Sequence, residues 1–132
     1  MKTKSVLDSY ALLAYLNREG GHAKVAALLA SEERTVLLNT INLGEVFYIL
    51  ARARGNQAAD HFLNVILPSL PITLVENSCE DVIAAARLKA TYPLSFADCF
   101  AAATAIREKA PLVTGDADFK KLWKTVKIDW VG

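Results

Sequence analysis

The chain alternates short β-branched segments with longer segments of helical periodicity along its whole length. This alternation is typical of an α/β domain with parallel strands, because each return to the same edge of the sheet needs a crossover helix. The predicted strands cover residues 5–7, 35–38, 72–75, 112–113 and 126–128. The predicted helices cover residues 9–17, 21–30, 42–54, 57–67, 78–91 and 95–109. We therefore expect an α/β fold with a mainly parallel sheet of about five strands.

Length and composition fit one globular domain. The 132 residues are 53% hydrophobic and contain no internal repeat or linker, so we expect a single domain over residues 1–132. Fifteen basic and fourteen acidic residues give a net charge of +1, which excludes binding of nucleic acid by bulk positive charge. Any ligand must therefore be recognised at a localised site.

The sequence shows no signal for membrane insertion or export. Its apolar stretches are shorter than a bilayer span, and Asp8 interrupts the N-terminal apolar residues before a secretory signal could form. The two cysteines, Cys79 and Cys99, have neither a CxxC pattern nor histidines at zinc-ligand spacing. We expect reduced thiols and a cytoplasmic protein.

Four acidic residues lie at boundaries of the predicted elements. Asp8 follows the first strand, Glu45 and Asp98 lie at helix starts, and Asp116 follows the fourth strand. In an open α/β sheet, the carboxyl ends of the strands and the helix N-termini that follow them share one edge. We expect the four carboxylates to converge there, although 37, 53 and 18 residues separate them along the chain.

Each acid taken singly also has a structural explanation. Carboxylates at helix starts are favoured by capping and by the helix dipole. Asn42 with Glu45, and Ser95 with Asp98, have the spacing of a capping box. Residues 78–81 have the same spacing, and we interpret them as a cap alone. The set of four acids, and not any one of them, indicates a site.

Four carboxylates at one place repel one another unless a cation neutralises them. All four are hard oxygen ligands without histidine or cysteine, a set that favours Mg²⁺ or Mn²⁺ over Zn²⁺. Such an ion lowers the pKa of water, and this chemistry suits phosphodiester hydrolysis. With four acids neutralised, ten acidic residues remain against fifteen basic ones, a balance of +5 that suits a polyanionic substrate.

The last predicted helix has two distinct faces. Its apolar stripe at i, i+3, i+4 spacing comprises Phe96, Cys99, Phe100, Ala103 and Ile106. We expect this stripe to face the core. The other face carries Asp98 with Ala102 and Ala105, so we expect open space in front of the carboxylate.

The segments that carry the four acids resemble the acidic motifs of PIN domains. They read VLDS at residues 6–9, NLGEV at 42–46, LSFAD at 94–98 and TGDADF at 114–119, in an order that matches the family over essentially the whole chain. The small single-domain form is similar to the VapC-type toxins of toxin–antitoxin pairs. The resemblance implies a three-layer α/β/α fold, Mg²⁺- or Mn²⁺-dependent endoribonuclease activity on RNA, a homodimer and inhibition by a cognate antitoxin.

The resemblance also implies roles for individual residues. The metal-binding and catalytic acids of the family are matched by Asp8, Glu45, Asp98 and Asp116. Thr114 matches the family's hydroxyl residue before the last acid. We interpret Asp118 either as an outer-shell ligand or as a residue that stabilises the following turn. Ser9 is interpreted as a helix-start hydroxyl, with a substrate contact as the alternative.

Basic residues near the acids are candidates for binding the RNA backbone. Tyr48 and Arg52 share roughly one helix face with Glu45, so Arg52 is either a phosphate ligand or an exposed surface residue. Four lysines follow the last acidic motif: Lys120, Lys121, Lys124 and Lys127. They either line an approach for RNA or form a solvated face.

The middle helices carry more large apolar residues than one core is expected to hold. They are Val46, Phe47, Ile49, Leu50, Phe62, Leu63, Val65, Ile66 and Leu67. A surplus apolar face indicates a partner, so we predict a homodimer through this region and an antitoxin segment on the same surface or beside it.

Two alternative functions remain at this point. One is a PIN-like module that binds RNA or protein without cutting, and the other is a metal-dependent phosphatase. A haloacid-dehalogenase-like phosphatase is disfavoured because position 10 is tyrosine where that class needs a second aspartate. The P-loop pattern GxxxxGK[ST] is absent from the sequence.

Overall fold

A computed structural model describes residues 2–132. Five strands form one sheet in the order β3-β2-β1-β4-β5, and every neighbouring pair is parallel. The strands are β1 (Thr3–Leu7), β2 (Arg34–Asn39), β3 (Ile72–Val75), β4 (Leu112–Thr114) and β5 (Ile128–Trp130). The predicted parallel α/β fold of five strands is confirmed.

Helices connect all of the strands except the last pair, which a 3-10 helix joins. The helices are α1 (Ser9–Leu16), α2 (His22–Ala30), α3 (Thr40–Arg54), α4 (Asn56–His61), α5 (Leu67–Ser69), α6 (Cys79–Thr91) and α7 (Phe96–Glu108). A π-helical segment, Phe62–Ile66, runs between α4 and α5, and the 3-10 helix is Ala117–Leu122. No helix within residues 2–132 is long and apolar enough to cross a membrane.

The sheet separates two hydrophobic clusters, which gives the three layers. Val6 of β1 packs with α6, α7 and the 3-10 helix, whereas the next residue, Leu7, packs with α1 to α5. In β4, Leu112 packs in the same cluster as Val6, and Val113 packs in the same cluster as Leu7. Successive side chains of a strand point to opposite faces, so the carboxyl-terminal halves of the central strands are buried on both sides of the sheet.

The register of the central strands fixes the edge where the acids lie. Leu7 at the end of β1 pairs with Leu38 of β2 and with Val113 of β4. Asp8 therefore follows β1 at the same level as the carboxyl ends of β2 and β4. This common edge brings together segments that are far apart along the chain.

Two predicted element boundaries were wrong. The last strand begins at Ile128, two residues later than predicted, because Val126 still belongs to the turn after the 3-10 helix and donates its N–H to the Leu122 carbonyl. Helix α3 begins at Thr40 and is capped by Asn39, so Asn42 is not its cap.

The expected burial of α7 was also wrong. Ala102 and Ala105 are buried, whereas Phe96 is 45% exposed and Ile106 is 40% exposed. The small side chains let α7 lie close against the sheet, so the helix buries its alanine face and leaves parts of the predicted stripe at the surface.

Candidate active site

Asp8 is a buried carboxylate held by two uncharged donors. It is 1% exposed and caps α1, where its Oδ1 accepts the Ala11 N–H at 2.8 Å. Its Oδ2 accepts the hydroxyl of Thr114 at the end of β4. The same Thr114 oxygen accepts the N–H of Asp116 at 3.0 Å. A chain of hydrogen bonds thus runs from the Asp116 backbone through Thr114 to Asp8.

Burial raises the pKa of Asp8 from 3.8 to about 7. The hydrogen bonds from Thr114 and Ala11 oppose this rise because they stabilise the charged form. The negative charges of Asp98 and Asp116 add to it, so both carboxylates lie close enough to Asp8 to repel it. Asp8 therefore faces two of the other predicted site residues.

Asp98 lies in the first turn of α7, which Ser95 caps by accepting the Asp98 N–H at 3.1 Å. Burial raises the pKa of this carboxyl from 3.8 to about 6. The charges of Asp116, Glu45 and Asp118 raise it further, whereas the bond with Ser95 lowers it. Asp98 thus interacts electrostatically with each of the other predicted acids.

Glu45 is oriented by two hydroxyl groups. It lies in the second turn of α3, and its Oε1 accepts the hydroxyl of Ser9, the first residue of α1. Its Oε2 accepts the Tyr48 hydroxyl at 3.4 Å. Ser9 therefore contacts an acid of the site, and the N-cap of α1 is Asp8 rather than Ser9.

Asp116 caps the 3-10 helix, and its Oδ1 accepts the Asp118 N–H at 2.9 Å. Asp118 is exposed, but its charge still acts on Asp98. Asp118 thus contributes a backbone bond to the turn and a negative charge to the site. The hydrogen bond agrees with a role in the turn, and the role of Asp118 as an outer-shell ligand stays a prediction.

The basic residues named from the sequence lie at the surface. The Arg52 guanidinium lies 5.0 Å from the centre of the Tyr48 ring, so Glu45, Tyr48 and Arg52 do share one face of α3. The lysines after the last acidic motif are exposed: Lys120, Lys121, Lys124 and Lys127.

Tyr10 is a residue of the site that the sequence reasoning missed. Its ring lies against Gly115, where an added Cβ would be 2.2 Å from the Tyr10 Cε1. Gly115 separates Thr114 from Asp116, so Tyr10 packs directly on the segment that carries the last acid. The glycine between two site residues was the signal that a close contact occurs there.

The chemistry of the donor set fits a divalent cation. Four predicted ligands supply carboxylate oxygens, and the charges of the acids act on one another. Over residues 2–132, no three histidine, cysteine or acidic side chains are already drawn together as a ligand cluster. A groove of about 610 Å³ between α6 and α7 contains none of these four acids, so it is a separate feature of the surface.

Comparisons with known proteins agree with this architecture. The sequence model of the PIN domain family matches residues 5–124. A search of curated proteins finds no match to the chain.

Three solved structures illustrate the likeness in fold. The VapBC2 structure of Rickettsia felis, bound to a promoter DNA fragment, has a chain with a TM-score of 0.78 at 18% identity, covering 98% of this chain and 100% of that one. The sarcin-ricin loop cleaving toxin VapC20 of Mycobacterium tuberculosis gives 0.73 at 20% identity, covering 89% and 93%. The DNA-bound VapBC structure of Salmonella typhimurium gives 0.77 at 14% identity, covering 97% and 98%.

The family match includes four of the five strands and all four acidic motifs, and the fold agrees with it along the length of the chain. This chain belongs to the PIN domain family.

Proposed function

We propose that this protein is a divalent-metal-dependent endoribonuclease that hydrolyses RNA phosphodiester bonds. The observation that carries the proposal is that the segments bearing the four predicted acids meet at one edge of the sheet. Thr114 donates to Asp8 and Ser9 donates to Glu45, while the charges of Asp116 and Glu45 both act on Asp98. Within residues 2–132, none of these four carboxylates forms a salt bridge with a basic side chain, and a divalent cation would supply the missing positive charge.

The residues that would hold Mg²⁺ or Mn²⁺ are Asp8, Glu45, Asp98 and Asp116. When bound, such an ion supplies Lewis-acid activation of the phosphodiester and of the attacking water. Thr114 fixes the orientation of Asp8, and Ser9 fixes that of Glu45. Arg52 is placed on the face of Glu45, where its guanidinium can bind a phosphate of the substrate.

The same proposal extends to partners. Solved relatives include VapBC complexes and the toxin–antitoxin complex of Klebsiella pneumoniae, so we propose that this chain is the toxin of such a pair, inhibited by a cognate antitoxin. We also propose that the protein forms a homodimer and is located in the cytoplasm.

The proposal is tested by replacing the two acids with raised pKa. Asp8→Asn and Asp98→Asn should each reduce Mg²⁺-dependent cleavage of RNA by about a hundredfold or more, since each removes a charged ligand. Circular dichroism should show that both variants fold. Asparagine at position 8 can still accept the Ala11 N–H through its Oδ1, and the backbone N–H of residue 98, which donates to Ser95, is kept in Asp98→Asn.

Calorimetry with Mn²⁺ on the wild type and on Asp116→Ala separates the enzyme from a non-catalytic module. We expect binding by the wild type and a large loss in the variant. Undiminished cleavage by both asparagine variants, or a wild type that binds no Mn²⁺, contradicts the proposal.

A further inference from the structure

Asn42 is a fully buried amide that joins the two helices carrying Glu45 and Asp98. Its exposure is 0%, and it lies nearly one turn before Glu45 on α3. Its Nδ2 donates to the carbonyl of Ala97 at 3.0 Å, and Ala97 immediately precedes Asp98 in the first turn of α7. One side chain therefore sets the distance between two segments that each carry an acid of the site.

This amide is not explained by stability. Its Oδ1 is buried and has no hydrogen-bond partner among the residues described, and an unpaired buried acceptor is destabilising. The Ala97 carbonyl does not depend on Asn42, because within α7 it also accepts the helical bond from the N–H four residues later. An apolar side chain of the same shape would avoid the unpaired acceptor.

A second buried asparagine, Asn39, ends β2 and caps α3, and its hydrogen bonding differs from that of Asn42. Asn39 donates to Asn77 at 2.7 Å and to Thr104 at 2.9 Å, and its own Oδ1 accepts from Ile41 and from Asn77. Both halves of this amide are satisfied, so Asn39 stabilises the contact between α3 and α7. Stabilisation of that contact is thus already provided away from the acids.

We propose that Asn42 is a positioning residue that holds Asp98 at the correct distance from Glu45 for a shared divalent cation. The proposal rests on the metal-dependent activity proposed above. Residues beyond the direct ligands often control metal affinity because they orient those ligands. Asn42 lies on the helix that carries Glu45, and it donates to the backbone carbonyl next to Asp98.

The test compares Asn42→Leu with the wild type in two measurements, Mn²⁺ affinity by calorimetry and thermal unfolding without metal. Leucine has nearly the shape of asparagine but neither donates to Ala97 nor leaves an acceptor unpaired. We expect the Kd for Mn²⁺ to rise about tenfold or more, while the unfolding midpoint stays unchanged or increases. Asn42→Ala answers the same question if the leucine variant does not fold.

Asn39→Ser serves as the matched control, because serine retains a cap for α3 but loses the amide bonds to Asn77 and Thr104. It should lower the unfolding midpoint and leave the Kd for Mn²⁺ unchanged. An unchanged Kd in Asn42→Leu overturns the positioning role, as does a loss of Mn²⁺ affinity accompanied by an equal loss of stability. A wild type without Mn²⁺ binding instead overturns the proposed function itself.

Discussion

At the scale of single residues, Asp8 combines two properties that rarely occur together. It is almost fully buried, yet its hydrogen-bond donors are an uncharged backbone N–H and an uncharged hydroxyl. Such donors stabilise the carboxylate less than a cationic side chain does, so burial dominates and the pKa reaches about 7. In the metal-free fold this carboxyl therefore stays largely protonated until the pH approaches 7.

This imbalance predicts how the stability of the metal-free protein depends on pH. Since the pKa of Asp8 rises from 3.8 to about 7 on folding, the folded state holds an extra proton between these values. The contribution of Asp8 to the free energy of unfolding is fully present below pH 4 and is lost as the pH rises through 7. We expect Asp8 to account for a loss of about 2–4 kcal/mol in the free energy of unfolding, measured by urea titration with EDTA at pH 4.5 and 8. Asp98, whose pKa burial also raises, adds a loss of the same sign, so the share of Asp8 is read from the comparison with Asp8→Asn.

Asp8→Asn is the control for this measurement, because its amide does not ionise. The difference in unfolding free energy between wild type and variant should shrink or change sign as the pH rises. Equal pH profiles for the two proteins would show that Asp8 does not titrate in this range. The lowered pKa values of Asp81 and Glu108 act in the opposite direction in both proteins and cancel in the comparison.

The positions of the four candidate acids at the ends of strands and the starts of helices could be predicted from the sequence, whereas the residues that contact them could not. Asp8 and Asp116 follow strands, and residues that follow parallel strands all lie at the carboxyl edge of the sheet. Asn39 and Asn42, in contrast, are three residues apart in the same segment, and either could cap a helix. Only the packing of α3 against α7 decides which asparagine caps and which reaches Ala97.

At the scale of elements, α7 shows why periodicity alone misassigned a helix face. Cys99 and Phe100 are buried as expected, but the core also surrounds Ala101, Ala102 and Ala105. Large apolar residues dominate any hydrophobic stripe read from a sequence. A helix packed between a sheet and other helices instead needs small residues where the backbones approach each other.

The turn between β4 and the 3-10 helix depends on a side chain from α1. A Cβ on Gly115 would meet the Tyr10 ring at 2.2 Å and the Val131 carbonyl oxygen at 2.9 Å. The first contact can be relieved by moving or shortening a side chain, whereas the second involves backbone. The turn that carries Asp116 is therefore built around a residue without a side chain.

We expect Gly115→Ala to destabilise the protein by about 1–3 kcal/mol, because the added methyl group overpacks this turn. Adding Tyr10→Ala in the same chain should recover part of the loss, since it removes the closest contact but not the one with Val131. Chemical denaturation of the single variants and the double variant measures this coupling. Strictly additive losses would show that Tyr10 and residue 115 do not compete for space.

At the scale of the whole molecule, the parallel sheet and the common edge followed from the order of elements in the sequence. The apolar surplus of the middle helices was smaller than predicted. Val46, Leu50, Phe62 and Leu67 are buried in this chain's own core. Of the nine residues in that set, only Leu63 and Val65 are exposed, at 37% and 55%. The burial of the other residues depends on how α3 and α4 pack against the sheet, which sequence periodicity does not specify.

These two residues make the predicted homodimer testable. Leu63→Lys combined with Val65→Lys should convert a dimer into a monomer, because two charges replace the exposed apolar side chains at the predicted interface. Light scattering after size-exclusion chromatography measures the mass. The matched control is Val82→Lys with Ile83→Lys, an exposed apolar pair on α6. If the control is a monomer and the variant at Leu63 and Val65 is still a dimer, the prediction is wrong and the interface lies on α6.

The strand order has a consequence for the protein during its synthesis. Asp8 leaves the ribosome early, whereas β4, which pairs directly with β1, and Asp116 are made more than a hundred residues later. Because the central strand lacks one neighbour until then, a nascent chain holds three of the four acids without the fourth. A chain that is still being translated therefore cannot assemble the complete set of four acids until β4 has joined the sheet beside β1.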